Sequence, residues 1–136
     1  MTTPTPLREP TFLILTALAR EPMHGYGIIS DVAALSGGRL ALRPGTLYGA
    51  LDRLTDEGLV ERDHEEVVEG RLRRYYRLTE AGRSVLTAET ERLRRNVEAA
   101  SQRLQARPAV GGTARSPANT PGAAARPILR PTGGQA

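Results

Sequence analysis

Apolar and polar positions follow two different rhythms along the chain, and their order predicts three helices, a hairpin and a long last helix. Over 10–18 the apolar residues are dense, with Phe12 or Leu13, Ile14, Ala17 and Leu18 available to a core. Glu21-Pro22 closes this helix, because the residue before a proline is pushed out of the α region. A second helix runs from about 25 to 35, with Tyr26, Ile28, Ile29 and Val32 at near-helical spacing, and Ser36-Gly37-Gly38 stops it. The short alternating piece 39–43 predicts an edge strand. Pro44-Gly45-Thr46 opens the third helix. There Leu47, Leu51 and Leu54 make one core-facing stripe, and Thr46, Gly49 and Arg53 lie opposite; Glu57-Gly58 ends it.

The rhythm then changes to alternation. Residues 59–65 and 71–78 read as two strands around a turn at Val68-Glu69-Gly70. Leu72, Arg74, Tyr76 and Leu78 fall on one face of the second strand; Arg71, Arg73, Tyr75 and Arg77 fall on the other. Tyr76 and Leu78 are expected to anchor the base of the hairpin on the helices. Thr79 is a natural N-cap for the last helix, which runs without a breaker to about Arg107. Leu86, Leu93 and Ala100 recur every seven residues, with Thr90, Val97 and Leu104 as the second row of the seam. The dense Glu and Arg elsewhere leave this narrow seam to be covered by a second copy of the chain.

Composition narrows the classes of function. The chain of 136 residues has room for one modest domain and a tail. The apolar run 12–15 is far too short to span a bilayer, so no membrane segment is expected. The first ten residues have neither a basic nor an apolar signal region. Cysteine is absent, which removes a disulfide framework and thiol chemistry and favours a cytoplasmic protein. The formal charge of +4 is carried by arginine alone, and three of the arginines (Arg115, Arg126, Arg130) lie after Pro108, where there are no acids. The part to Arg107 is nearly neutral, so clustering of charge on one face matters more than its sum. Residues 108–136 are rich in Pro, Gly, Ala and Thr and read as a disordered tail.

Three helices followed by a two-stranded ribbon is the winged helix-turn-helix layout, mainly α, with a long C-terminal helix. The organisation expected is an N-terminal extension at 1–9, the winged helix at 10–78, a dimerisation helix at 79–107, and the tail. The third helix of such a fold presents a polar face to the major groove. The sequence resembles the PadR family of transcriptional regulators. The resemblance is carried in order by Leu13-Ile14-Leu15, Met23-His24-Gly25-Tyr26-Gly27-Ile28, Gly38-Arg39-Leu40 and Arg43-Pro44-Gly45-Thr46-Leu47-Tyr48. It continues through Leu51-Asp52-Arg53-Leu54, Glu57-Gly58-Leu59-Val60 and the block from Arg73 to Arg83. It covers about 10–85, and the single C-terminal helix matches the shorter subgroup of the family. The resemblance implies a homodimeric repressor that binds a palindromic operator on double-stranded DNA and is released by an effector or stress signal. By position it places Arg43, Pro44, Gly45, Thr46, Tyr48 and Arg53 at the recognition helix and Arg71, Arg73 and Arg74 on the wing. The dimer seam is Leu86, Leu93, Val97, Ala100 and Leu104. Tryptophan is absent, so an aromatic effector, where there is one, is not held by Trp stacking.

Each of these residues also has an ordinary reading. Tyr48 can touch a phosphate or pack against the second helix. Arg53 can meet DNA or pair with Asp56 and Glu57 along the helix. The wing arginines face Glu61, Asp63, Glu65 and Glu66, leaving Arg71 or Arg73 near the tip as the free ones. His24 reads as a helix-entry residue whose ring satisfies local backbone groups, with pH or ligand sensing as the alternative. His64 sits among acids that alternation sends to opposite faces, so no metal site is expected, and no cofactor. Neither a phosphate-binding glycine loop nor a Ser/His/acid arrangement is present, which points away from an enzyme. The competing function is a winged helix used for protein contacts rather than specific DNA binding.

Overall fold

The computed structural model describes residues 6–106. Its elements are α1 (Glu9–Leu18), β1 (Met23–His24), α2 (Gly25–Leu35), α3 (Pro44–Asp56), β2 (Val60–Val68), β3 (Arg71–Leu78) and α4 (Glu80–Gln105). The three strands form one antiparallel sheet in the order β1-β3-β2. This is the winged-helix arrangement, with the wing enlarged by a two-residue strand at its base.

Local chemistry explains the boundaries. α2 and α3 end alike. Gly38 N–H donates to Ala33 O and Gly37 N–H to Ala34 O; Leu59 N–H donates to Leu54 O and Gly58 N–H to Thr55 O. Each pair is a Schellman closure, with a glycine at positive φ just past the helix end. α4 is capped by Thr79, whose hydroxyl oxygen accepts the Gly82 N–H at 2.9 Å while its O–H donates to Gly58 O at 2.6 Å. A Cβ on Gly82 would lie 2.1 Å from the Leu59 carbonyl oxygen, so the first turn of α4 sits directly on the entry to β2.

The core is built from Ile14, Leu15, Ala17 and Leu18 of α1, Ile28 and Val32 of α2, and Leu47, Ala50, Leu51 and Leu54 of α3, closed by Val60, Tyr76 and Leu78. Each fully buried leucine contributes on the order of 2 kcal/mol. Leu15 joins the core although the sequence reading left it out. Tyr26 leaves it, being 64% exposed.

Three local expectations are corrected. Residues 39–43 are not a strand. Arg39 is drawn to Glu9 as an ion pair, Leu40 N–H is bound by the Ser36 hydroxyl, and Leu40 and Leu42 turn onto the core. The edge of β3 is taken instead by Met23 and His24, opposite Tyr76 and Tyr75. β2 runs on to Val68, and the turn is only Glu69-Gly70, with φ of 52° and 77°. Positive φ at both central residues is the type I′ hairpin turn, whose twist matches the strands. Third, a bulge between Arg62 and His64 breaks the alternation of β2. It sets Asp63 beside His64, Nδ1 to Oδ2 at 2.5 Å, where strict alternation would have parted them.

Among the described residues the internal contacts divide the chain into two units between Arg95 and Asn96, within α4. In the second unit, residues 96–106 are all exposed. α1 begins one residue earlier than expected, at Glu9. Most of the N-terminal extension, Arg107 and the expected tail lie outside the described residues. Among the described residues, no helix is long and apolar enough to cross a membrane.

Candidate nucleic-acid interface

α3 is held from beneath. Leu47, Leu51 and Leu54 are at most 1% exposed, and Arg43, Pro44, Gly45, Thr46, Tyr48, Gly49, Asp52 and Arg53 stand outward. Five residues along a helix amount to about 140° of rotation, so Tyr48 and Arg53 occupy opposite flanks of this outer face. Arg53 lines a shallow cleft with Leu7, Thr11 and Glu57, and it makes no ion pair among the described residues. The crest between the flanks is Gly45, Gly49, Asp52 and Asp56, and nothing lies within 4 Å of where a Cβ would stand on either glycine.

Tyr48 satisfies both of its readings in part. Its ring lies over the start of α2, where a Cβ on Gly25 would come within 2.2 Å of the hydroxyl oxygen, so this contact requires glycine there. It is still 40% exposed. Burial, then the neighbouring Tyr76 and Tyr26, raise its pKa above the usual phenol value, with Arg74 opposing. The hydroxyl is therefore a proton donor at neutral pH.

The wing divides its arginines. Arg77 pairs with Glu61, and Arg74 Nε meets Glu65 at 3.3 Å. Arg71 and Arg73 make no ion pair among the described residues. Arg71 lies opposite Val68, while Glu66, opposite Arg73, accepts the Tyr75 hydroxyl at 3.2 Å and faces His64 Nε2 at 3.4 Å. A notch of about 160 Å³ between the wing, α2 and α3 is lined by His24, Tyr26, Tyr48, Arg71, Arg73 and Arg74, with Gly25 and Leu72.

His24 does not satisfy local backbone groups with its ring, as the sequence suggested. It makes no side-chain capping bond and lies instead against Gly27 and, at 5.3 Å between centroids, Tyr75. Tyr75 stacks in turn on His64 at 4.3 Å. Burial, and then the charge of Arg73, lower the His24 pKa, so this imidazole is neutral near pH 7. The His64 pKa is raised, first by its hydrogen bond to Asp63.

The dimer seam is unevenly used. Leu86 packs against the core, Leu93 is half-buried, and Val97, Ala100 and Leu104 are exposed, Leu104 by 81%. Between Leu86 and Leu93 lies Glu89, only 5% exposed. It accepts two hydrogen bonds from Arg92, at 2.9 and 2.6 Å, and one from the Leu7 N–H at 3.0 Å. The Arg92 guanidinium outweighs burial and, with the Leu7 amide, holds this carboxyl at about 2.

Glu89 and Tyr26 were both missed by sequence reasoning. A glutamate interrupting the 86–93 apolar row is a signal that could have been read.

Comparison with known proteins matches residues 14–88 to the transcriptional regulator PadR-like family. An uncharacterised 37.1 kDa protein of a Streptomyces fradiae transposon is 47% identical over 83 residues, 61% of this chain but only 22% of that protein. Transcriptional regulator Rv3488 of Mycobacterium tuberculosis is 40% identical over 80 residues, covering 59% of this chain and 71% of the relative. Among solved structures, a PadR family regulator from Clostridium difficile aligns at a TM-score of 0.60 and 25% identity, over 70% of this chain and 97% of its own. Bacillus subtilis PadR, in complex with operator DNA, aligns at 0.53 and 26% identity, over 60% of this chain and 46% of its own. With more than half of its length matched and the winged helix in place, the chain belongs to the PadR-like family of transcriptional regulators.

Proposed function

We propose that the chain is a sequence-specific DNA-binding repressor that occupies a palindromic operator as a homodimer and is released by an effector. One observation carries the reading: the outward-facing Arg43, Pro44, Gly45, Thr46 and Tyr48 of a leucine-anchored α3 stand beside a wing whose Arg71 and Arg73 make no ion pair among the described residues. Backbone phosphates fix the register of such a module and base edges select the sequence. The operator-bound Bacillus subtilis relative supports this use of the fold. Leu93, Val97, Ala100 and Leu104 of α4 would meet their counterparts in a second copy, with Leu86 at the root. Two recognition helices then lie about one DNA turn apart, roughly 34 Å.

The acids of α3 favour a second reading, a docking face for a protein. Asp52, Asp56 and Glu57 are exposed at its C-terminal end, where the helix dipole disfavours them. The DNA reading accounts for them as well. They repel phosphates from that end and confine contact to the N-terminal half, so we place Arg43 to Tyr48 nearest the DNA and Arg53 at the margin.

The test is a salt-titrated anisotropy assay with DNA from upstream of the protein's own gene against a scrambled duplex. Preferential binding that weakens steeply with salt is expected, because bound phosphates release counterions. Equal, weak binding to both, followed by no enriched fragment in a genome-wide selection, leaves the protein-docking reading.

A further inference from the structure

The wing holds one group whose surroundings suit only its charged form. His64 lies across the strands from Tyr75 and stacks on that ring at 4.3 Å, with 11° between the planes. Its Nδ1 meets Asp63 Oδ2 at 2.5 Å, and its Nε2 meets Glu66 Oε2 at 3.4 Å. A neutral imidazole has one N–H and one lone pair, so it satisfies one carboxylate and repels the other; only the imidazolium donates to both. The face of Tyr75 adds cation–π attraction for that form. From β3, Arg77 Nε stands 3.8 Å from Asp63 Oδ1, and Arg73 lies opposite Glu66; from β1, His24 flanks Tyr75 on its other edge. Arg62 and Glu65, the remaining β2 neighbours, lie opposite Tyr76 and Arg74 on the other face of the sheet.

The hydrogen bond to Asp63 keeps the proton on Nδ1, so the proton that leaves is the one on Nε2. A bare lone pair then faces Glu66, whose only remaining donor is the Tyr75 hydroxyl at 3.2 Å. Arg73, directly across the ladder, makes no ion pair among the described residues. Opposed side chains on one face have Cβ atoms about 5 Å apart, within reach of a carboxylate–guanidinium pair. The charges of Arg73 and Glu66 both act on His24, in opposite directions.

We propose that His64 is a proton switch for the wing: doubly protonated it holds Glu66 away from Arg73, and on losing its Nε2 proton it releases Glu66 to pair with Arg73 across the strands. The consequence for DNA rests on the reading above. Arg73 is available to phosphates while His64 is charged and is neutralised when it is not, so binding weakens as pH rises. The Asp63 hydrogen bond outweighs burial and, with Glu66, holds His64 above the ordinary imidazole value of 6.5, so the step falls above that pH. His24 is lowered and stays neutral there, and the chain has neither lysine nor cysteine. Among the side chains, the range from about pH 6.5 to about pH 9 belongs to His64.

The test follows the isotope-labelled full chain by NMR from about pH 6 to about pH 9. The Arg73 side-chain carbons are expected to shift together with the His64 ring. In Glu66→Gln they should stay still, while His64 titrates lower for want of one acid. In the anisotropy assay, wild-type affinity for both duplexes should fall about 3- to 10-fold over this range, and the salt slope should shrink by about one. His64→Phe keeps the stack on Tyr75 without a donor and is expected to show the weaker affinity at every pH. Glu66→Gln should keep the stronger affinity throughout, varying by less than about twofold, since one exposed charge on His64 is largely screened.

Arg73 carbons that stay still while His64 titrates overturn the switch, as does a His64 ring that titrates at or below 6.5. A fall in affinity that Glu66→Gln retains in full also overturns it, because His64 would then act by its own charge. A wild type that binds neither duplex at any pH overturns the DNA reading instead, and the Arg73 signals still decide the switch.

Discussion

The base and the tip of the wing are made from the same two strands and obey different rules. At the base, Val60, Tyr76 and Leu78 are buried, Arg77 is matched by Glu61, and Gly82 of α4 presses on the Leu59 carbonyl. At the tip, Arg71 and Arg73 make no ion pair among the described residues, and Val67 and Leu72 face each other across the strands at 72% and 55% exposure. A hairpin on its own is marginal in water. The base is therefore what holds the ribbon, and the type I′ turn at Glu69-Gly70 with the Val67–Leu72 pair is enough to keep its register. The difference teaches where to look for function. Residues at the base are explained by the protomer, whereas Arg71 and Arg73 at the tip have no ion-pair partner among the described residues.

The largest effect should come from breaking the base. Tyr76→Ala removes a side chain that is 6% exposed and is expected to cost about 3–5 kcal/mol in urea unfolding. A loss below about 1 kcal/mol would mean that the wing is not part of the core. Gly82→Ala comes next, since its Cβ meets backbone rather than a side chain that can swing away. We expect about 2–3 kcal/mol, read as a lower urea midpoint.

Glu89→Gln tests a third kind of anchor, the buried carboxylate that ties α4 to the N-terminal segment at Leu7. It should cost about 1–3 kcal/mol at neutral pH. The pH dependence has a definite sign. The folded carboxyl is held at about 2, below its ordinary value of 4.5, so its stabilisation is complete above about pH 4.5. It is lost as pH falls from there towards 2, and the wild-type and variant melting curves should converge over that window. Curves that stay parallel would show that the carboxylate contributes nothing to the fold.

The smallest stability effects belong to the outer surface. Arg71→Ala and Arg53→Ala should each shift stability by less than about 0.5 kcal/mol. Arg71→Ala is expected to weaken DNA binding several-fold. Arg53→Ala should do so less, because it sits on the flank of α3 away from Tyr48. An Arg53→Ala variant with unchanged affinity removes Arg53 from the contact surface.

Much of this contrast could be read from the chain. Leu47, Leu51 and Leu54 announce α3 and its buried side through spacing alone, and the crowding of acids on β2 against arginines on β3 is visible as a pattern. What was hidden depends on partners far along the chain. Two residues, Met23 and His24, are too few to show a period, and they became a strand only because the edge of β3 was open beside them. The alternation at 39–43 is not that of a strand: Arg39 pairs with Glu9, and Leu40 and Leu42 turn onto the core. The bulge at Asp63 reverses a neighbour relation that period-two reasoning takes as fixed. Tyr48 packing on the second helix was one of its two readings from the sequence, but that the contact falls on Gly25 is not marked by spacing.

The measurement that bears most directly on the central claim is residue-level mapping of the DNA-bound surface. Amide shifts of the isotope-labelled protein would be followed as the upstream duplex is added. The account predicts that the changes concentrate at 43–49 of α3 and 70–74 of the wing tip, with the wing base and residues 86–93 of α4 little altered. Changes centred on Asp52, Asp56 and the acids of β2, or absent from α3 altogether, would contradict it.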